Sequence, residues 1–144
     1  MGAYSVSARR KYCYWLIEIA SRAIFEGICL NSLELAHTVV EAIEEKMGES
    51  ILLLDLKGIS ILADYYVIAN GRSDRQLKAL ARAVTDLAGQ KRNRRLRDLD
   101  EQATSGWVLV DLGEVIVHLF IGRQRGYYGL EKLWSHGKVL LRVQ

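Results

Sequence analysis

The chain has 144 residues, of which 50% are apolar and 26% are charged, and its net charge is +3. This length predicts one domain, and the composition is ordinary for a globular protein. No uncharged apolar run reaches the 18 residues that a membrane-spanning helix needs. The two cysteines, Cys13 and Cys29, are too few for a metal cage or a disulfide framework. We therefore expect a cytoplasmic protein without a membrane partner.

The first 30 residues form a separate N-terminal extension. A basic cluster precedes an apolar stretch, as in a signal peptide, but Glu18, Arg22 and Glu26 interrupt that stretch every four residues. The spacing predicts an amphipathic helix from about Tyr12 to Cys29, in an extension that is either helical or poorly ordered. It is either an appended helix without a function or a helix that docks a partner or targets an organelle.

Net charge is divided unevenly between the extension and the predicted domain, residues 31–144. The extension has four cations and two anions, so the remaining 114 residues carry a net charge of only +1. A nucleic-acid-binding domain usually has a basic bias over its whole surface. The net charge of the domain therefore does not indicate a general nucleic-acid groove.

The domain begins with a helical pattern. Asn31 or Ser32 can start this helix, its apolar residues recur at helical spacing, and Gly48 is expected to end it. The apolar run 51–56 has the length of a buried strand.

A second strand lies within residues 61–70 and ends at an Asn-Gly turn signal. Ser73 or Asp74 can cap the helix that follows, which extends to about Gln90. Residues 91–101 then carry five cations followed by three anions, and we interpret the basic part, 91–97, as a loop. This loop is either simply solvated or makes a local contact with RNA phosphates.

The last third predicts a β-hairpin, a helix and an edge strand. Strands at 106–112 and 115–120 flank Gly113-Glu114, which suits a two-residue turn. Residues 123–134 are expected to form a short helix, and 139–143 a final strand at an edge. The order of elements predicts an α/β fold with a mixed sheet of about five strands flanked by helices.

Two enzymatic sites were considered and neither is complete. The segment NGRSDR (70–75) precedes a helix, where anions bind, but it lacks both G-x-G-x-x-G and the Walker lysine. A capped turn is the alternative. Asp55, Asp64, Asp111 and Glu114 lie near strand ends, and the last two share one turn that could bind Mg²⁺. Capping or solvated carboxylates are the alternative, and no cofactor is expected.

One of the three histidines, His118, lies in the middle of a predicted strand. Alternation places it on the same face as Ile116 and Phe120. No serine or cysteine nucleophile accompanies it in a known motif. We expect a hydrogen-bonded structural histidine at the edge of a binding surface rather than a catalytic one.

Aromatic and charged residues are concentrated in residues 107–134. Trp, Tyr and Arg are the residue types that dominate protein-binding hot spots. The alternative is that the tryptophans are buried and attach the terminal helix to the sheet, which we favour for Trp134. The residues that suggest a protein-binding surface are Trp107, Arg125, Tyr127, Tyr128, Glu131 and Trp134.

Two segments of the chain resemble the ribosomal silencing factors, also called the Iojap-related family. They read LDLKGISILADYYVIANGRSDRQLKALA (54–81) and GWVLVDLGEVIVHLF followed by RQRGYYGLEKLW (106–134). The resemblance extends over roughly residues 31–135. The chain differs from the family pattern in its extra residues 1–30, in Glu101-Gln102 where Glu-Gly is common, and in its arginine-rich segment 91–97.

The resemblance implies a fold similar to nucleotidyltransferases but without their catalytic acids, and a function that is not enzymatic. Such a factor would bind the large ribosomal subunit through its fourteenth protein, block joining of the small subunit and lower translation when nutrients are short. The alternatives are a Mg²⁺-dependent nucleotidyl- or phosphotransferase and a homodimer that covers the same surface. The family's contact surface would correspond to Trp107, Asp111, Leu112, Gly113, His118, Tyr128, Glu131 and Trp134.

Overall fold

The computed structural model describes residues 31–87 and 93–144, so the helix expected within residues 1–30 lies outside the described residues. The described helices are α1 (Ser32–Glu45), α2 (Asp74–Leu87), α3 (Asn93–Ser105), α4 (Gly122–Tyr128) and α5 (Leu130–Leu133). The strands are β1 (Glu49–Asp55), β2 (Tyr65–Gly71), β3 (Trp107–Asp111), β4 (Val115–Ile121) and β5 (Lys138–Val143). None of these helices has both the length and the apolar content needed to cross a bilayer.

The five strands form one mixed sheet in the order β3-β4-β2-β1-β5. The central pair, β2 and β4, is parallel, and the three other neighbouring pairs are antiparallel. The parallel pair requires a crossover connection, which α2 and α3 provide together with the edge strand β3. The predicted α/β fold with a mixed five-stranded sheet and a final edge strand is confirmed.

One face of the sheet is covered by α1, α2 and α3. Strand side chains alternate between faces, so the helices receive residues such as Leu53, Val67 and Val117, each completely buried. The helices contribute apolar stripes that include Ile43 and Leu80, also completely buried. This layer is the main hydrophobic core.

The opposite face has a smaller apolar cluster. Leu52, Tyr66, Ile68 and Phe120 are buried there. The cover is the short segment α4–α5, which contributes residues such as Trp134 to the cluster. This face is therefore covered by about three helical turns, whereas its counterpart is covered by three full helices.

The interpretation of the basic segment 91–97 as a loop was wrong from residue 93 onward, because α3 begins at Asn93. The helix packs on the sheet through Leu99 and Ala103, which are four residues apart and buried. Many charged residues surround these two positions in the sequence, so the helical period of the segment is weak. Arg82 of α2 pairs with Asp100 of α3 at 3.1 Å and links the two helices.

Three predicted details of the chain path also differ in the structure. The β3–β4 connection is three residues long, 112–114, rather than two. Residues 123–134 form two short helices because Gly129 has a left-handed φ of +56°. The first helix ends at Glu45, and Met47 rather than Gly48 has the left-handed φ. A Cβ on Gly48 would lie 2.3 Å from Ile43 Cγ2, so this glycine permits close packing.

Candidate functional site

The pairing of β3 with β4 builds an aromatic cluster on the thinly covered face. Trp107 lies opposite Phe120 in the antiparallel register, and their rings stack at 5.2 Å between centroids with a 22° angle. Tyr128, at the end of α4, lies 4.4 Å from the Trp107 ring. Trp107 is partly buried while Tyr128 is 46% exposed. The sequence placed these residues in one segment, and the structure brings their rings into contact.

His118 lies beneath this cluster and is only 4% exposed. Its Nδ1 accepts a hydrogen bond from Trp107 Nε1 at 3.3 Å, and its ring centroid lies 5.0 Å from that of Tyr66. Burial lowers the pKa of His118 to about 4, so the imidazole is neutral near pH 7. The expectation of a hydrogen-bonded histidine is confirmed.

The neutral His118 ring has one donor and one acceptor nitrogen. Because Nδ1 accepts, the proton is on Nε2. That atom is buried and has no hydrogen-bond partner. A buried donor without a partner is unusual in folded proteins.

Leu109 adds an exposed apolar side chain to the same face. It pairs with His118 across the β3–β4 ladder and is 40% exposed, and Ile116 beside it is partly buried. Leu109 was not among the site residues predicted from the sequence. The strict alternation of WVLVD puts Trp107, Leu109 and Asp111 on one face and two buried valines on the other, but it does not show what covers that face.

We call this surface the aromatic face. Its members are partly or largely exposed apolar side chains on β3, β4 and α4, supported from below by buried rings. A contiguous apolar surface of this kind indicates a site for binding another molecule. The aromatic face comprises Trp107, Leu109, Ile116 and Tyr128, with His118 and Phe120 beneath them.

Arg125 and Glu131 attach the covering segment to the sheet. Arg125 Nε lies 3.0 Å from Glu131 Oε1, and Arg125 Nη1 donates to the Ser50 carbonyl oxygen and, at 3.1 Å, to Asn70 Oδ1. The Arg125 side chain is only 13% exposed. Because the donors of Arg125 are used within the fold, the structure gives this pair an anchoring role.

Trp134 also has an anchoring position. Its ring meets the Tyr66 ring edge-on at 5.5 Å, and it is partly buried against the smaller apolar cluster. This geometry agrees with the interpretation that Trp134 attaches the C-terminal segment to the sheet. Trp134 is connected to Trp107 through the rings of Tyr66 and His118, which lie between the two tryptophans.

The predicted contact residues Asp111, Leu112 and Gly113 lie at the β3–β4 turn. Asp111 Oδ1 accepts from Gly113 N at 2.8 Å, and Gly113 has a φ of +91°, which favours glycine. Leu112 packs against the main core rather than the smaller cluster. Leu112 and Gly113 line a hollow with Asn31 and Asp64, so the structure separates these two residues from the aromatic rings.

Most of the candidate residues for phosphate or Mg²⁺ chemistry have partners within the fold. Ser73 Oγ accepts from Gln76 N, and Gln76 Oε1 accepts from Arg72 N, which is the capped turn. Asp55 Oδ1 accepts from Lys57 N at 3.0 Å, and Asp64 accepts from the Ser32 hydroxyl at 3.4 Å. Across residues 31–87 and 93–144, no three His, Cys, Asp or Glu side chains converge as metal ligands would.

Comparison with known proteins identifies the family. A family model described as "Ribosomal silencing factor during starvation" matches residues 30–143. The chain belongs to this family. The ribosomal silencing factor RsfS of Bacillus subtilis is 42% identical over 108 residues, which are 74% of this chain and 89% of that protein.

Two solved structures agree with the family assignment. A crystal structure of a Chromobacterium violaceum protein has a TM-score of 0.62 and 32% identity, covering 74% of this chain and 88% of that one. One from Bacillus halodurans has a TM-score of 0.57 and 37% identity, covering 71% and 94%.

Proposed function

We propose that this protein represses translation by binding the large ribosomal subunit and sterically blocking the small subunit from joining it. Membership of the ribosomal silencing factor family supports a ribosome-associated silencing role. The partner would be protein fourteen of the large subunit, with a local contact to rRNA, in the cytoplasm of cells that lack nutrients. The observation that carries this proposal is the exposed aromatic face.

The composition of the aromatic face suits a protein partner. Trp107 and Tyr128 are in contact at 4.4 Å, and Leu109 extends the apolar surface along β3. Aromatic side chains near the centre of an interface contribute most of its binding energy, and apolar neighbours exclude water around them. Both rings are held by the fold before binding, which reduces the conformational entropy lost on association.

Rigid support is what a steric block requires. The covering segment is held by the Arg125 contacts to Glu131, Asn70 and Ser50. A domain bound through about 800 Å² of its surface has a specific interface of standard size. The remainder of the domain then occupies space that the small subunit needs, and repression follows without any chemical step.

One acidic group lies at the border of this surface. Asp111 is exposed at the end of β3, on the face that carries Leu109. A carboxylate at the rim of an interface affects the association rate and the choice of partner more than it affects affinity. This arrangement favours a protein surface with basic residues beside an apolar patch.

The direct test is Trp107→Ala in a pelleting experiment with separated large and small subunits. We expect at least tenfold weaker pelleting with large subunits, because truncating a central aromatic anchor costs about 2 kcal/mol or more. Val139→Ala is the matched control, since Val139 is 48% exposed but belongs to the opposite edge strand β5. Unchanged pelleting of a folded Trp107→Ala variant would remove the aromatic face from the interface.

Subunit joining tests the mechanism separately from binding. Preincubation of large subunits with the wild-type protein should lower formation of complete ribosomes when small subunits are added, and Trp107→Ala should not. Association of the protein with small subunits alone would contradict the proposal. Light scattering at two protein concentrations would detect a homodimer, which remains a prediction.

A further inference from the structure

The polar atom of Trp107 is used inside the protein. An indole has a single hydrogen-bond donor, Nε1–H, and in Trp107 this group donates to His118 Nδ1 at 3.3 Å. His118 is only 4% exposed to solvent, so the bond lies beneath the surface rather than at its rim. Trp107 therefore presents ring carbons at the surface while its donor faces inward.

Ring packing alone does not select this orientation. Phe120 stacks on Trp107 at 5.2 Å and Tyr128 lies 4.4 Å away, and both contacts are largely apolar. Rotation of the indole about its Cβ–Cγ bond would keep much of this apolar contact while turning Nε1–H elsewhere, because such torsions have broad, roughly two-fold minima. The acceptor on His118 distinguishes the two orientations, because only one of them makes the hydrogen bond.

The register of the sheet brings the two residues together. His118 pairs with Leu109, and Trp107 pairs with Phe120, so His118 and Trp107 are diagonal neighbours on one face. Diagonal neighbours lie within reach of long aromatic side chains. The low pKa of His118 keeps Nδ1 unprotonated and able to accept near pH 7.

We propose that His118 is a positioning residue that holds the Trp107 indole with its N–H inward, so that the partner meets only the carbon face of the ring. This inference rests on the proposed function and refines it. The matching group on the partner is then an aliphatic side chain, or the aliphatic stem of a longer one, rather than a hydrogen-bond acceptor. His118 itself is too deeply buried to be a contact residue.

Three variants separate positioning from packing. His118→Leu removes the acceptor and keeps an apolar side chain in the site. His118→Asn keeps an acceptor near the position of Nδ1, since the asparagine Oδ1 is at the same distance along the side chain. Trp107→Phe removes the donor and keeps an aromatic face. Thermal unfolding and near-ultraviolet circular dichroism identify any variant that loses its packing.

The first readout is hydrogen exchange at the Trp107 indole, measured by NMR on the free full-length chain. Loss of the corresponding peak in Trp107→Phe assigns it. We expect exchange at least about fivefold faster in His118→Leu, because a net contribution of about 1 kcal/mol is typical of one hydrogen bond, and slow exchange restored in His118→Asn. Equal exchange rates in the wild type, His118→Leu and His118→Asn would overturn the inference, whatever the protein does on ribosomes.

The second readout is affinity for large subunits. We expect His118→Leu to bind about fivefold to tenfold more weakly, His118→Asn to recover most of this loss, and Trp107→Phe to lose less than Trp107→Ala. The decisive variant combines His118→Leu with Trp107→Phe, since a residue that acts only through the indole N–H adds nothing once that group is absent. If His118→Leu weakens binding equally in both backgrounds, His118 acts independently of the Trp107 indole N–H and the inference is wrong.

The two proposals fail in different ways. If Trp107→Ala leaves large-subunit binding unchanged, the docking face is wrong, although indole exchange can still identify the His118 bond. If Trp107→Ala weakens binding and His118→Leu does not, the docking face is supported and the positioning role is wrong.

Discussion

The two faces of the sheet use the same strands for different purposes. On the helical face, Leu53, Val67 and Val117 are completely buried beneath three helices. On the aromatic face, Leu109 is 40% exposed and Tyr128 is 46% exposed. The first face maximises the apolar area removed from water, which is the main favourable contribution to folding. The second leaves apolar area exposed, and partly buried hydrogen bonds of Trp107 and Arg125 hold its shape.

The largest expected contrast compares two leucines on opposite faces. Leu53→Ala should lower the free energy of unfolding by about 2–5 kcal/mol, because it leaves a cavity in a close-packed core. Leu109→Ala should lower it by less than about 1 kcal/mol, because Leu109 is already 40% exposed. Urea unfolding measures both variants. Equal losses would contradict the distinction between a stabilising face and a binding face.

The free energy of unfolding should depend on pH because the buried imidazole of His118 has a lowered pKa. Its pKa is about 4 in the folded protein and about 6.5 in an unfolded chain. The unfolded state therefore binds more protons between these values, and stability falls as pH is lowered from 6.5 to 4. The full difference is roughly 3 kcal/mol.

Urea unfolding of the wild type and of His118→Leu, at matched pH values from 7 to 4, measures this contribution. Carboxylates titrate in both proteins, so the difference between the two curves isolates His118. The contribution is fully present above pH 6.5 and lost near pH 4. A difference that does not change with pH would contradict the burial that gives His118 its low pKa.

Removing the anchor of the covering segment should cost less than removing a core leucine. Arg125→Ala leaves Asn70 Oδ1 and the Ser50 carbonyl oxygen without this donor. Since Glu131 can still reach solvent, we expect a loss of about 2 kcal/mol in the free energy of unfolding. Arg123→Ala is the matched control on the same helix, because Arg123 is exposed, and it should change stability by less than about 0.5 kcal/mol.

A substitution at Leu109 should change stability little but weaken binding clearly. Leu109→Ser should weaken pelleting with large subunits by about tenfold, since it replaces an apolar contact beside the main aromatic anchor. Val139→Ser, at the other sheet edge, should leave pelleting unchanged. If both variants bind equally well, Leu109 lies outside the interface and the aromatic face ends at Trp107.

Most of the helices and strands could be predicted from the sequence because their hydrophobic patterns depend on near neighbours in the chain. The alternation of WVLVD and VIVHLF predicted the β3–β4 pair and placed His118 with Phe120. The first part of α3 was missed because many charges surround its apolar residues in the sequence, such as the buried Leu99 and Ala103. Leu109 was missed because an exposed leucine cannot be distinguished from a buried one without knowing what covers the strand.

The sequence by itself determined which residues share a face, since alternation along a strand depends only on near neighbours. Tertiary structure alone decided which of them are covered. Arg125 reaches the Ser50 carbonyl oxygen across 75 positions of the chain, and Trp134 meets Tyr66 across 68. Such contacts leave no periodic pattern in the sequence. Among the predicted contact residues, they make anchors of Arg125, Glu131 and Trp134, whereas Tyr128 stays exposed.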